Sequence, residues 1–376
     1  LRPLEAYAGE VTSESEFQLS DLPLRDVLRG KSPYGAPQDP VPVSLNVNEN
    51  THPVPEAVIA DITDQIHTAL RTVNRYPDRD FTRLREALAK YLGHGLSAQQ
   101  VWAANGSNEV LQQVLQAFGG PGRSLLSFTP TYSMYPLLAD GTDTAWVPIQ
   151  RPTDFELTPE FASQALSAHE PTVAIICGPN NPTGTPLSHD VVTAAYDAFD
   201  GILIIDEAYY EFDQDHDSAI ELLAGRPRLA VSRTMSKAFA FAGVRLGYLA
   251  ADPVLLDALK LVRLPYHLSA LTQAAATTAL AHADTMLKTV DDIRQQRQRL
   301  AQALTRLGYT VYPSGANFLL VGGFADSHSM FTKLLERGIL VRDIGIPGHL
   351  RITAGTEDET SALIHALTEI HNESTR

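Results

Sequence analysis

The 376-residue chain contains one cysteine, Cys177, so no disulfide can form within it and no cysteine-rich metal site can be built. No apolar run approaches the length of a membrane span, and the stretch LRPLEAYAGEVTSESEFQLSD mixes acids with polar residues where a signal peptide needs an apolar core. Positive charge is scarce: 29 Lys and Arg against 44 Asp and Glu leave a net charge of −15. A field of that sign opposes nucleic acid and anionic membrane surfaces, and leaves any anionic ligand to local donors. No G-x-G-x-x-G follows an early strand, which argues against a dinucleotide site, and no basic helical segment stands ahead of the first domain as a DNA-binding appendage would. The expectation is a soluble cytoplasmic protein with no metal, membrane or nucleic-acid partner.

What is present is an ordinary globular composition, 44% hydrophobic and 19% charged, long enough for two cores. Residues 1–42 are rich in Pro, Gly and charge without sustained period, and read as an N-terminal arm. From FTRLREALAKYLG onward, helical patterns alternate with short apolar runs that end in polar or Gly-rich turns: VWAANGS, SLLSFTP, TVAIICGPNNPTG, GILIIDEAYY, RLAVSRT and RLGYLAA. That alternation predicts an α/β fold with a mostly parallel, helix-flanked sheet over 75–261, and such sheets gather ligands beyond the carboxyl ends of their strands. ADPVLLDALKLVRLPYHLSALTQAAATTAL and DDIRQQRQRLAQALTRLG read as long helices leading out of it. Short strands and a terminal helix then predict a smaller α+β domain from 43–74 and 262–376.

Four polar groups fall at the expected strand ends. Asp206 follows ILII, where it either caps the next helix or, as a buried carboxylate, faces a cation such as a protonated ring nitrogen. Tyr209 could offer a phenol to the same ligand or merely pack. Gly106 and Ser107 open a helix, which is a plain cap or a phosphate turn. GPNNPTGTP is a turn by composition, but Asn181 could donate to a phenolate oxygen. Lys237, in SRTMSKAFAFAGVRLGY, is either a snorkelling side chain or an amine kept dry to bond a carbonyl. Together these are the handles of pyridoxal phosphate, with Ser236 and Arg245 to neutralise its phosphate.

With LNVNEN, NRYPDRDFTRLREALAKYLG, PTYSMYP, PNNPTG, IIDEAYYEF, RTMSKAFAFAGVRLGY, VRLPYHLS, GANFLL, GILVRD and LRITAGT in order, the chain resembles the fold-type I pyridoxal phosphate aminotransferases, and within them the histidinol-phosphate aminotransferases. It departs from them at NENTHPVP, where relatives often carry N-E-N-P-x-G. The resemblance implies that Lys237 carries the cofactor covalently, Asp206 bonds the ring nitrogen, Tyr209 and Asn181 bond the 3-oxygen and Tyr132 stacks on the ring. Gly106, Ser107, Asn108, Thr234, Ser236 and Arg245 would hold the cofactor at its phosphate end. Tyr76 of NRYPD would reach that phosphate from a neighbouring subunit, so a homodimer with a shared site is implied. Arg351, Arg342, Tyr34 and Tyr266 would bind substrate. The implied reaction is transamination of L-histidinol phosphate with 2-oxoglutarate, giving imidazole-acetol phosphate and glutamate. An aromatic amino acid aminotransferase is the alternative on the same scaffold, and a phosphothreonine-type decarboxylase or a cofactor-binding regulatory module stands behind it.

Overall fold

The structure, a computed structural model, describes residues 18–33 and 35–374. Runs rich in Val, Ile, Leu and Ala become strands buried over most of their length, as expected where helices cover both faces of a sheet, with the edge strand Ala145–Gln150 half-buried to exposed. Seven strands lie side by side in the order Val101–Ala104, Gly247–Ala251, Leu229–Thr234, Ile202–Asp206, Val173–Cys177, Ser124–Thr129 and Ala145–Gln150. Only Gly247–Ala251 runs antiparallel to its neighbours. Consequently residues 105–108, 130–132, 178–181, 206 and 234–237 emerge at one edge, and Gly247, paired with both Ala104 and Thr234, enters there.

The core of this sheet takes in Val58 from the helix Glu56–Leu70 and Ala275, Ala276 and Ala279 from the helix Ala270–Ala281. Segments that the sequence pattern placed with the smaller domain therefore pack on the larger core. A second core, with Leu45, Leu300, Leu319, Val321, Ile352 and Leu367, lies under an antiparallel sheet ordered Arg342–Asp343, Leu350–Thr353, Phe318–Gly322 and Thr310–Val311. Between the two, Tyr209, Phe212 and Ala238 meet Val290 and Ile293 of the helix Lys288–Arg306 and Phe318 of the smaller sheet. The described residues up to Gly35 form a separate unit, in which the short 3-10 turns Leu19–Asp21 and Asp26–Leu28 are the elements present.

The long helix expected over 251–280 is broken in two. Pro253–Val262 ends at Arg263, and Ala270–Ala281 starts after the cap Ser269, whose hydroxyl accepts from the Thr272 amide. The reason lies in LPYH: proline disfavours helical geometry at Leu264, and Tyr266 adopts a left-handed φ of 58°. No helix among the described residues is long and apolar enough to cross a membrane.

Candidate active site

At the first strand end, Gly106 sits at φ +84° and hands the chain to the helix Ser107–Phe118. A Cβ there would lie 2.6 Å from Nη2 of Arg245, and a Cβ on Gly247 would collide with the backbone nitrogen of Ser107. Both glycines let the helix N-terminus, the guanidinium and the 234–236 turn close on one point. Arg245 Nη1 donates to Ser236 Oγ (3.4 Å), and Thr234 Oγ1 donates to the same oxygen (3.0 Å). Asn108 Oδ1 is buried nearby without a partner among the described residues. Free helix N–H groups, two hydroxyls and a guanidinium make a site for a dianion in a chain that is otherwise acidic.

Asp206 closes the strand Ile202–Asp206 and caps no helix: the next turn, Tyr210–Phe212, has Tyr209 at its N-cap. Its carboxylate is buried. Oδ2 accepts a hydrogen bond from Tyr135 (2.8 Å), while Oδ1 has no partner among the described residues. Burial pushes its pKa up to about 6, against the opposing pull of the Tyr135 hydroxyl and the Ala208 amide. An orphaned buried carboxylate oxygen is costly unless a donor meets it, and a protonated heterocyclic nitrogen is such a donor.

Lys237 is only half-buried as a residue, yet its amine turns inward and donates to the carbonyl of Val47 (2.9 Å). Burial, followed by the positive charges of Arg351 and Arg245, lowers its pKa to about 8, which makes the neutral amine far easier to reach than in an ordinary lysine. The snorkelling alternative is thereby set aside. Val47 belongs to LNVNEN, which also brings Asn46 and Asn48 to the polar groups of the site. Asn48, at a left-handed φ of 57°, donates from Nδ2 to the Tyr209 hydroxyl (2.9 Å), and its Oδ1 accepts from Thr353 (2.9 Å). Asn46 offers its carbonyl to Arg351 Nη2, and Arg351 Nη1 donates to Asn181 Oδ1 (2.7 Å).

The neighbouring Asn180 belongs to the turn itself: it bonds Thr131, Thr183 and the carbonyl of Pro130. Of the two adjacent asparagines, then, only Asn181 faces the polar groups of the site. Arg342 stands directly opposite Arg351 on antiparallel strands, so the two side chains leave the same face. Like charges in that relation repel, and an anion shared between them removes the cost.

Tyr132 packs edge-on to Tyr135 (ring centroids 5.6 Å apart) beside the same pocket. Tyr76 and Tyr266 stack on each other, ring centroids 4.4 Å apart, with Tyr76 80% exposed, and the next residue, His267, accepts at its carbonyl from Asn105 beside the phosphate turn. Tyr34 lies outside the described residues. Sequence reasoning passed over three residues that the fold brings in. Tyr135 was visible only as the second aromatic of TYSMY, Asn48 as one of three asparagines in LNVNEN, and Gly247 as the glycine of RLGY.

Behind Asp206 runs a buried ionic network. Arg233 Nε donates to Glu207 Oε2 (2.9 Å), Nη2 donates to Ser218 Oγ (2.7 Å), and the guanidinium stacks on Tyr210. Burial alone would depress the Arg233 pKa, but Glu207 and Glu211 carry it above the usual arginine value. Removing one member of such a pair strands the other without compensation. Arg233→Met is therefore expected to lower the unfolding free energy by about 3–5 kcal/mol in urea denaturation.

The donors present fit pyridoxal phosphate: a dianion turn, a buried acid with one oxygen unmet, a buried amine of lowered pKa, and Asn181 and Tyr209 between them. Comparison with known proteins agrees. Residues 40–367 match the aminotransferase class I and II family. The histidinol-phosphate aminotransferase of Paenarthrobacter aurescens is 58% identical over 359 residues, covering 94% of this chain and 96% of that one. The protein of the same description from Mycolicibacterium smegmatis is 52% identical over 364 residues, 95% of this chain and 96% of that one. Among solved structures, histidinol-phosphate aminotransferase from Sinorhizobium meliloti in complex with pyridoxal-5'-phosphate superposes with a TM-score of 0.81 at 25% identity, covering 89% of this chain and 92% of that one.

Proposed function

Since the chain belongs to the class I and II aminotransferases and, within them, to the histidinol-phosphate aminotransferases, we propose that it transaminates L-histidinol phosphate against 2-oxoglutarate with pyridoxal phosphate as cofactor. Its residues divide the work as follows. The turn of Gly106, Ser107, Asn108, Thr234, Ser236 and Arg245 receives the cofactor phosphate. Asp206 presents its unpaired oxygen to the ring nitrogen, Asn181 and Tyr209 serve the ring 3-oxygen, and Tyr132 covers the ring. When bound, the cofactor supplies an electron sink for the bond broken at the substrate α-carbon.

Lys237 anchors the cofactor and then acts as general acid and base. A buried amine with a pKa near about 8 can both accept and return a proton close to neutral pH. Arg351 takes the carboxylate of glutamate or 2-oxoglutarate in one half-reaction and, together with Arg342, the phosphate ester of the other substrate in the other. A planar guanidinium fork binds both in bidentate fashion.

One observation carries this reading: the Lys237 amine is held inside the protein by a backbone carbonyl rather than by a carboxylate. Borohydride reduction of the cofactor-loaded protein followed by peptide mapping should label Lys237. Absorbance titration should show the bound cofactor's band bleach with histidinol phosphate and return with 2-oxoglutarate. Label elsewhere with activity intact rejects the assignment.

The surface stack of Tyr76 and Tyr266 is flanked in the chain by Leu70, Val73, Leu261 and Leu264, all more than half exposed apart from Leu70 at 50%. Exposed apolar groups of this size favour burial against another surface. A second copy of the chain is the proposed occupant, working in the cytoplasm as a homodimer. Leu264→Glu is expected to shift sedimentation toward the monomer and to weaken cofactor retention, because Tyr76 then loses its place in the neighbouring site. A dimer as tight as wild type contradicts this.

A further inference from the structure

Asp206 receives a single side-chain hydrogen bond among the described residues, and its donor is a residue that no sequence motif assigned to the site. Tyr135 is fully buried in the first turn of the helix Met134–Gly141, its ring braced edge-on by Tyr132 and its hydroxyl 2.8 Å from Oδ2 of Asp206. The other charged or titratable groups around the carboxylate are committed elsewhere. Cys177, its cross-strand partner, points its thiol at the carbonyl of Pro179 and stays protonated, burial having pushed its pKa up to about 12. Arg151 spends its guanidinium on the carbonyls of Phe128, Phe155 and Cys177. Glu207 is bound by Arg233, Ser218 and the amide of Ala219.

Tyr135 itself remains a donor throughout the working range, because burial and then the adjacent Asp206 charge hold its phenol well above the ordinary value. It is therefore the side-chain donor that distinguishes the two oxygens. Oδ2 is occupied by a fixed donor, and Oδ1 is left as the acceptor for an incoming one.

We infer that Tyr135 is the positioning residue of Asp206: its hydroxyl pins one carboxylate oxygen so that the other is committed, in its ionised form, to the ring nitrogen of the cofactor. The inference rests on the proposed role of Asp206 and deepens it. Tyr135 touches no reacting atom and acts only through that acid. Losing a hydrogen bond to an ionised group weakens whatever depends on the charge by about tenfold or more.

The test is a double-mutant cycle on the affinity of cofactor-free protein for pyridoxal phosphate, read by intrinsic fluorescence and requiring no turnover. Tyr135→Phe is expected to weaken binding about tenfold in the wild-type background, and to change it by less than about twofold in the Asp206→Asn background, where no charge remains to be held. In Y135F the acid limb of the affinity-versus-pH curve should also move upward by about one pH unit, because the ionised carboxylate has lost its donor. Equal losses in both backgrounds, or an unmoved acid limb, would reduce Tyr135 to a packing residue and overturn the inference while leaving the role of Asp206 intact. If Asp206→Asn alone binds the cofactor as wild type does, the assignment of Asp206 fails, and the inference falls with it.

Discussion

Lys237→Ala is expected to slow transamination by at least about four orders of magnitude, the upper range for loss of a positioned proton-transfer group, because covalent anchoring is lost with it. Single-turnover measurement with histidinol phosphate checks the rate, and added methylamine should restore a small part by carrying the proton. The fold should survive. Ala238 and Phe239, packed at 0% exposure beside the lysine, are untouched, and only the carbonyl of Val47 loses a donor. Linkage sharpens the distinction from misfolding. The pKa of Lys237 is lowered from 10.5 to about 8, so the stability it contributes is present above its unfolded value and is lost as pH falls through about 8. Near neutral pH the native state therefore holds a charge it disfavours, and alanine relieves that cost. An inactive variant whose cofactor-free form melts no earlier than wild type supports the chemical role. A variant that melts early and retains activity in its folded fraction contradicts it.

How far the site was legible before folding depends on what each residue needs to declare itself. Asp206 and Lys237 violate local expectation, an acid after ILII and an amine before AFAFAGV, and such violations show in one dimension. Gly106 and Ser107 announce a helix start by composition. Tyr135 violates nothing, since a tyrosine in an apolar helix turn is ordinary, and it acquires meaning only when strand and helix set its hydroxyl against a residue 71 positions away. Asn48 is likewise one polar residue among several until the smaller sheet delivers Thr353 to it across 305 positions. The pair Asn180 and Asn181 could not be apportioned from sequence, because which one serves the turn depends on Thr131 and Arg351, both far along the chain. The split of the helix after Val262 was readable from Leu264 and Pro265. There the apolar period outweighed the one residue that forbids helix continuation.

Asp206→Ala is expected to lower kcat by about two to three orders of magnitude while changing substrate affinity little, because the carboxylate is needed most when electrons move toward the ring it faces. The same substitution should act in the opposite direction on the cofactor-free protein. The pKa of Asp206 is raised from 3.8 to about 6, so the stability it contributes is fully present below the unfolded value and is lost as pH rises through about 6. Above that window the cofactor-free native state carries a buried charge at a cost on the order of 3 kcal/mol. Urea denaturation should therefore show the alanine variant gaining on wild type by a similar amount between about pH 4 and pH 7, on top of a pH-independent loss from the cavity and from the Tyr135 hydroxyl left without its acceptor. Saturating cofactor should reverse the order at neutral pH, since it binds the native wild type more tightly and stabilises it by mass action. A variant that is slow but shows neither the pH-dependent gain nor the reversal would mean that Asp206 acts through packing. The acid is stable in the protein only in company with a cation, and that dependence is what makes it useful: the charge that destabilises the cofactor-free fold is the one held ready for the ring nitrogen.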